Sequence, residues 1–371
     1  MKNIPWANPD IGTKEFNQVK KSFNNNRFTM GANVKKLEDS FSKVWNSKYS
    51  LAVSNGTVAL DLALKAIGIK AKDEVIVPAV SYISTASSVS YQGATPVFID
   101  ISLETYSMDP AQIERAITKK TKAIIYIDYG GIPSEFKKIS KIASKFKLKL
   151  ILDGAQTLGA KLQNKNLGHN GIVSTVSFHM AKIITTIEGG IICTNSKKIA
   201  NDIKILRNIG ETPNKKYSHT LLGTNARMND LQAGIGIEQL KKLDKYVFQR
   251  NRVAKIYRKL FLEYKILAEM PKLIPDSKSS YFFFPILIKN RNQVSKKLKE
   301  IYKIDTRIAY PVPIYEQQLY KNSNLICRKL PCKNAEYFCK YILNLPIFPS
   351  MSNKDIETVV RAIHKIQNAK S

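Results

Sequence analysis

Short apolar runs recur through the first two-thirds of the chain, and several are separated by stretches of helical period. EVIVP (74–78), TPVFID (95–100), KAIIYID (122–128), LKLILD (148–153), STVSF (174–178) and GGIICTN (189–195) read as strands. They are rich in Ile and Val and alternate little, the pattern of strands buried on both faces. Helical segments stand at 81–91 and 134–146, and another runs from Gly56 to Ile67. Strands and helices in alternation predict βαβ crossovers, hence an α/β fold whose mostly parallel sheet is sandwiched by helices. After about Leu243 the texture changes. LDKYVFQRNRVAKIYRKLFLEY (243–264) reads as a long helix, YFFFPILI (281–288) as an aromatic strand and 353–367 as a closing helix. The expected division is a large domain over 1–243 and a smaller C-terminal α+β domain over 244–371, with no internal repeat and no low-complexity linker.

Composition narrows the function classes. The 371 residues are 44% hydrophobic, enough to bury two cores. The formal net charge is +30, from 59 basic against 29 acidic residues, a field that favours anionic partners. Only 11 of the basic residues are arginine, and the lysines are spread along the whole chain. Specific readers of nucleic acid concentrate arginine forks on a local basic element, so no specific nucleic acid is expected. Cys193, Cys327, Cys332 and Cys339 form no CxxC pair and read as reduced, structural thiols, with no metal site. No run of 18 apolar residues occurs, so no membrane span is expected. MKNIPWANPDIG lacks the apolar core of a secretory signal, and the expected location is the cytoplasm.

Candidate chemistry gathers at strand ends. Asp153 closes the run LILD, where open α/β sheets place ligands in the crevice beyond their carboxyl ends. Lys182 follows the strand STVSF within SFHMAKIITTIEGG, among apolar residues and threonines. Two such opposite charges can form a plain ion pair. They can also hold a cofactor between them, the lysine as Schiff-base former and the aspartate on a protonated pyridine nitrogen, as in pyridoxal 5′-phosphate (PLP) sites. Gly56 and Thr57 open a helix in SNGTVAL, whose free N–H groups suit a phosphate or simply an N-cap. Tyr82 leaves the end of the 74–78 strand, where it can stack on a flat ring or fill a rim. Asn225 and Arg227 in TNARMNDLQAGIG stand in a polar turn that opens a helix.

Nine ordered blocks carry a resemblance. VSNGTVALDLAL, DEVIVPAVSYISTASSV, GATPVFIDI, TKAIIYIDYG, LILDGAQTLGA, SFHMAK, EGGIICTN, RMNDLQAGIG and YPVPIY follow one another as in the DegT/DnrJ/StrS family of PLP-dependent nucleotide-sugar aminotransferases. The likeness extends nearly end to end and implies the aspartate-aminotransferase fold (PLP fold type I). It implies that Lys182 binds PLP covalently, that Asp153 faces the pyridine nitrogen, and that Gln156 lies near the ring oxygen. Gly56, Thr57 and Ser177 match the phosphate cradle, and Tyr82 the stacking aromatic. Asn225 matches an asparagine that reaches the neighbouring subunit's cofactor, implying a homodimer with shared active sites. The implied reaction moves an amino group from an amino acid, L-glutamate, to a nucleotide-linked keto-sugar, for amino-sugar or surface-glycan synthesis such as lipopolysaccharide. His179, Tyr310 and Tyr315, with Pro311, are the candidates beside the substrate.

Three departures stand out against the family pattern. Ile187 in TTIEGG replaces a frequent glycine, Asp128 in DYGG stands at a histidine position, and Thr224 and Ala226 in GTNARM replace aromatics. Two relatives of the same fold keep other outcomes open: sugar dehydratases, which carry a histidine at the lysine position or an iron–sulfur cluster, and non-catalytic regulators. Lys182 is present, and the four cysteines show no cluster spacing.

Overall fold

The structure, a computed structural model, describes residues 3–24, 27–169, 171–213, 215–322 and 324–369. Eight strands form the central sheet, in the order Tyr49–Val53, Gly190–Thr194, Val173–Ser177, Lys149–Asp153, Thr121–Ile127, Glu74–Pro78, Thr95–Ile99 and Arg328–Lys329. Gly190–Thr194 runs antiparallel to both its neighbours, and the remaining pairs are parallel. Strand interiors are buried almost throughout, Val75, Ile76 and Val77 completely, because helices cover both faces. The fold is therefore the α/β sandwich that the strand–helix alternation predicts.

Parallel strands deliver their carboxyl ends to one edge of the sheet, which positions the site. The loops after Val53, Pro78, Ile127, Asp153 and Ser177 all emerge there. The last of these is a hairpin connection: Phe178 N donates to the Gly189 carbonyl at 2.8 Å and Thr186 N to the Phe178 carbonyl at 2.9 Å. The chain must turn back at this edge to enter the antiparallel strand, and Lys182 lies within the turn.

Element bounds differ from expectation in instructive places. The helix expected from Ser81 begins at Ser84, because Ala79 N still donates to the Ile99 carbonyl and extends the sheet pairing by one residue. The helix expected to open at Asn225 and Arg227 begins at Asp230, capped by Asn229, whose side chain accepts from Gln232 N. Asn225 and Arg227 instead lie extended, bridged to Asn208 and Val53. The aromatic run shortens to a strand at Phe284–Leu287, paired antiparallel with Ile342–Leu345. Pairing stops there, which leaves Phe282 free to face the site.

Apolar residues form two clusters. The larger surrounds the central sheet, and the smaller gathers Val253, Tyr257, Phe284, Leu343, Ile356 and Val360 between the long Leu243–Glu263 helix, the two-stranded sheet and the closing helix. Chain segments cross between them. Ile4 packs in the small cluster, and Tyr315, Tyr320, Ala335 and Phe338 pack in the large one. The cysteines form no disulfide; burial pushes the thiols of Cys193, Cys332 and Cys339 up to about 12. Among the described residues, no helix is long and apolar enough to cross a membrane.

Candidate active site

Asn55 caps the Gly56–Ala66 helix, its side chain accepting from Val58 N at 2.9 Å, so the first N–H groups of the helix face the sheet edge. Gly56 is set there by close approach: a Cβ would lie 2.7 Å from the Ser177 Cβ. Thr57 Oγ1 lies 2.6 Å from Ser84 Oγ. Helix N–H groups, the positive end of the helix and the hydroxyls of Thr57, Ser84 and Ser177 make a cradle suited to a phosphate dianion.

Asp153 is 3% exposed at the end of its strand. Thr85 Oγ1 donates to its Oδ2 at 2.7 Å, and Ala155 N to its Oδ1 at 3.2 Å. Ser81 Oγ lies 2.6 Å from Thr85 Oγ1, which extends the chain of hydroxyls. Burial raises the Asp153 pKa, opposed by Thr85, Ala155 and the charge of Lys182. Lys182 Nζ lies 4.7 Å from the centroid of the Phe282 ring. Removal from water pushes the Lys182 amine down to about 8, against the pull of Asp153. The two groups thus sense each other across the crevice, and the amine is poised near neutrality rather than locked as a surface cation.

Gln156 Oε1 accepts from Gly130 N at 2.7 Å, and its Nε2 donates to the Tyr310 hydroxyl at 3.4 Å. Tyr82 is exposed, its ring centroid 6.2 Å from that of Tyr310. Burial raises the Tyr310 pKa, helped by Asp153 and Tyr82, so this hydroxyl belongs to the same crevice as the carboxylate. His179 Nδ1 accepts from Ala181 N at 3.3 Å, which leaves the proton on Nε2, 3.7 Å from Glu188 Oε1. Asn225 is exposed beside the cradle: Ser54 N donates to the next carbonyl, Ala226, at 2.9 Å. Tyr315 is placed differently. It is buried, its hydroxyl donating to Glu336 Oε1 at 3.0 Å and its ring lying under Lys329.

Sequence reasoning thus finds the lysine, the carboxylate and the cradle, but misses Ser81, Ser84, Thr85 and Phe282. Ser84 and Thr85 carried a usable signal in SYISTAS, because they open a helix just past a strand end, where the chain reaches the crevice. Phe282 carried none, since it reaches Lys182 across a hundred residues of chain.

Two of the departures have physical consequences. Asp128 is 1% exposed, accepting from Ser134 N at 2.7 Å and from Thr157 Oγ1 at 3.3 Å, and it ties the turn carrying Gly130 to the turn carrying Gln156. Burial pushes its pKa up to about 6, with the Ser134 and Thr157 contacts acting against the rise. A carboxyl group whose folded pKa exceeds its unfolded value favours folding below the unfolded value and loses that contribution as pH rises through about 6. Asp128→Asn keeps an acceptor for Ser134 N and offers a donor to Thr157. It is expected to stabilise the protein at pH 8 by roughly 2–3 kcal/mol and to converge on the parent near pH 4, as read from denaturant melts at both values.

Ile187 has φ +72° and is 54% exposed. A β-branched residue in the left-handed region is strained, whereas the glycine frequent at this position in the resembling family is not. Ile187→Gly is expected to raise stability by about 1 kcal/mol, a higher thermal midpoint being the readout, because relief of strain exceeds the entropy that glycine adds to the unfolded chain.

Comparison with known proteins gives a consistent picture. Residues 9–364 match the DegT/DnrJ/EryC1/StrS aminotransferase family. A GDP-perosamine synthase of Escherichia coli O157:H7 is 34% identical over 382 residues, covering 100% of both chains. DesV of S. venezuelae, solved in complex with a ketimine intermediate, superposes with a TM-score of 0.94 at 26% identity, covering 100% of each chain. A GDP-4-keto-6-deoxymannose-3-dehydratase with a trapped PLP-glutamate geminal diamine gives a TM-score of 0.91 at 27% identity, over 97% of this chain and 100% of that one.

Proposed function

This chain belongs to the DegT/DnrJ/EryC1/StrS aminotransferase family and is a PLP-dependent aminotransferase, and from that premise we propose that it carries an amino group from L-glutamate to a nucleotide-linked keto-sugar. The observation that carries the reading is the pairing of a lysine amine held near 8 with a buried carboxylate at one sheet edge, beside a cradle with no room for a Cβ at Gly56. This donor set fits PLP: an amine for its aldehyde, a carboxylate for its pyridine nitrogen and N–H and hydroxyl groups for its phosphate.

When bound, PLP accepts the electron pair left on a substrate carbon after proton loss. The protein's part follows from its own groups. Lys182 Nζ would hold the cofactor covalently and, as a free amine, would take up and give back the proton of the donor's α-carbon. Asp153, oriented by Thr85, would keep the pyridine nitrogen protonated. Gly56, Thr57 and Ser177 would hold the cofactor's phosphate, and Gln156 and Tyr82 would hold and orient its ring. His179 and Tyr310 would stand near the reacting groups, whereas Tyr315, bonded to Glu336, is given no part in the site.

Asn225, exposed in the single chain, is assigned to the cradle of a second copy, which makes the working unit a homodimer with shared sites. The working location is the cytoplasm. The division into a large domain, 1–243, and a small one, 244–371, is supported by the second apolar cluster, which the Leu243–Glu263 helix joins to the sheet region. Incubation of the PLP-loaded protein with L-glutamate and a panel of GDP-, dTDP- and UDP-linked keto-sugars tests the reading. Amino-sugar nucleotide and 2-oxoglutarate should form in equal amounts with one nucleotide class; no 2-oxoglutarate with any of them contradicts it.

A further inference from the structure

Phe282 meets Lys182 from a distant part of the chain, and the meeting is fixed from the Phe282 side. The aromatic run joins its strand only at Phe284, and the backbone just before that point is pinned by two elements. Arg250, from the Leu243–Glu263 helix and 5% exposed, donates through Nη1 to the carbonyls of Tyr281 at 3.0 Å, Phe282 at 3.5 Å and Ile347 at 2.9 Å. On the other side, the Gly130 carbonyl accepts from Phe283 N at 3.3 Å and the Gly131 carbonyl from Ser280 N at 3.0 Å. Phe282 is 6% exposed, with the Phe283 ring centroid 4.3 Å from its own. The ring is therefore held in one place. Lys182 Nζ lies 4.7 Å from its centroid, within reach of a cation–π contact.

The surroundings give the amine little water and one effective counter-charge. Lys182, Asp10 and Arg250 line a cavity of about 20 Å³, room for about one water. Asp10 accepts from the Tyr246 hydroxyl at 2.7 Å, with Lys242 Nζ 3.7 Å away, and His179 Nε2 faces Glu188. Asp153 is the charge that acts on the amine, raising its pKa against the larger effect of burial, which brings it down to about 8. A lysine that takes up a proton and gives it back needs both of its forms within reach. Burial favours the neutral amine. The negative face of an aromatic ring favours the cation without admitting water, which an aliphatic wall does not do.

We propose that Phe282 is the positioning residue for Lys182: its ring face aims the amine into the crevice, keeps water from it and gives the protonated amine a partner. Arg250 and the turn carrying Gly130 and Gly131 act at one remove, by holding the ring. The proposal rests on the aminotransferase reading for the work the amine does, and the titration of the amine is testable apart from turnover.

In the full chain carrying isotope-labelled lysine, before PLP is added, the ε-methylene signal of Lys182 is identified by its loss in Lys182→Ala. It should lie upfield of the other lysines, as protons over a ring face do, and should titrate near 8. Phe282→Leu keeps an apolar wall and removes the ring face, so the midpoint should fall by roughly 0.5–1 pH unit, the size of a cation–π contact. Phe282→Ala admits water, so the midpoint should rise by about 1 pH unit or more, toward the ordinary lysine range. In PLP-loaded protein, the pH at which the first half-reaction with L-glutamate accelerates should move in the same two directions. A parent signal at the ordinary lysine position overturns the proposal, and that measurement needs no folded Phe282 variant. So do midpoints that move the same way in both variants, or not at all. An upfield signal that shifts as expected, in a protein whose cofactor band ignores L-glutamate, would leave the assignment standing and remove the aminotransferase reading instead.

Discussion

Lys182→Ala is expected to lower the rate of amine transfer from L-glutamate by about 10³-fold or more, the scale for removing a group that acts both as covalent anchor and as general base. Folding should survive, because the Lys182 backbone N–H still donates to the His179 carbonyl and the chief loss is one contact with the Phe282 ring. Exogenous methylamine should restore a fraction of the rate if the missing group is an amine, and it should restore nothing if the defect is structural. In the parent protein the rate should rise with pH through the region near 8, since only the neutral amine takes a proton and burial holds this amine near 8. A rate that is flat from pH 6 to 9 counts against Lys182 as the base.

Asp153→Asn is expected to lower the same rate by about 10²- to 10³-fold, the loss associated with removing one preorganised electrostatic partner. The substitution keeps an acceptor for Thr85 Oγ1, whose bond to Asp153 is 2.7 Å, so the loss reports charge rather than shape. A neutral amide cannot hold the pyridine nitrogen protonated, so substrate-carbon acidity should fall while phosphate binding at Gly56 and Thr57 persists. Measured together, cofactor affinity should change little and the deprotonation rate greatly. A large loss of affinity with a normal rate in the loaded fraction would reassign Asp153 to binding alone.

Six strands of the central sheet were legible because covering both sheet faces demands continuous apolar runs, as at Glu74–Pro78, whereas Tyr49–Val53 and the two-residue Arg328–Lys329 were not read. Helices were less legible. Thr13–Phe23 leaves its apolar Phe16 and Phe23 exposed and buries Glu15 and Ser22, so its apolar period does not mark the face that packs on the Asp230–Lys241 helix. Asp230–Lys241 is buried on most sides, which erases the amphipathic stripe, and its start was legible only from which asparagine accepts Gln232 N.

In the site, Asp153 and Lys182 showed in the sequence because each follows a strand end, where topology alone delivers a side chain to the crevice. Thr85, Phe282 and Arg250 reach their partners across long stretches of chain, and no local pattern encodes that meeting. Asp128 could be seen as a substitution for histidine, but its burial and its hold on Thr157 depend on two loops meeting. Tyr315 was expected beside the acceptor from its Tyr-Pro neighbourhood, yet its hydroxyl is bonded to Glu336, a partner that sequence proximity does not announce.

The most direct test is the visible absorbance of PLP-loaded protein before and after excess L-glutamate, with Lys182→Ala measured in parallel. The account predicts a band from lysine-bound cofactor that bleaches as the donor gives up its amine, and a variant in which that band is missing or unresponsive. A folded, PLP-saturated parent protein without the band, or a variant that keeps it and responds as the parent does, would contradict the role given to Lys182.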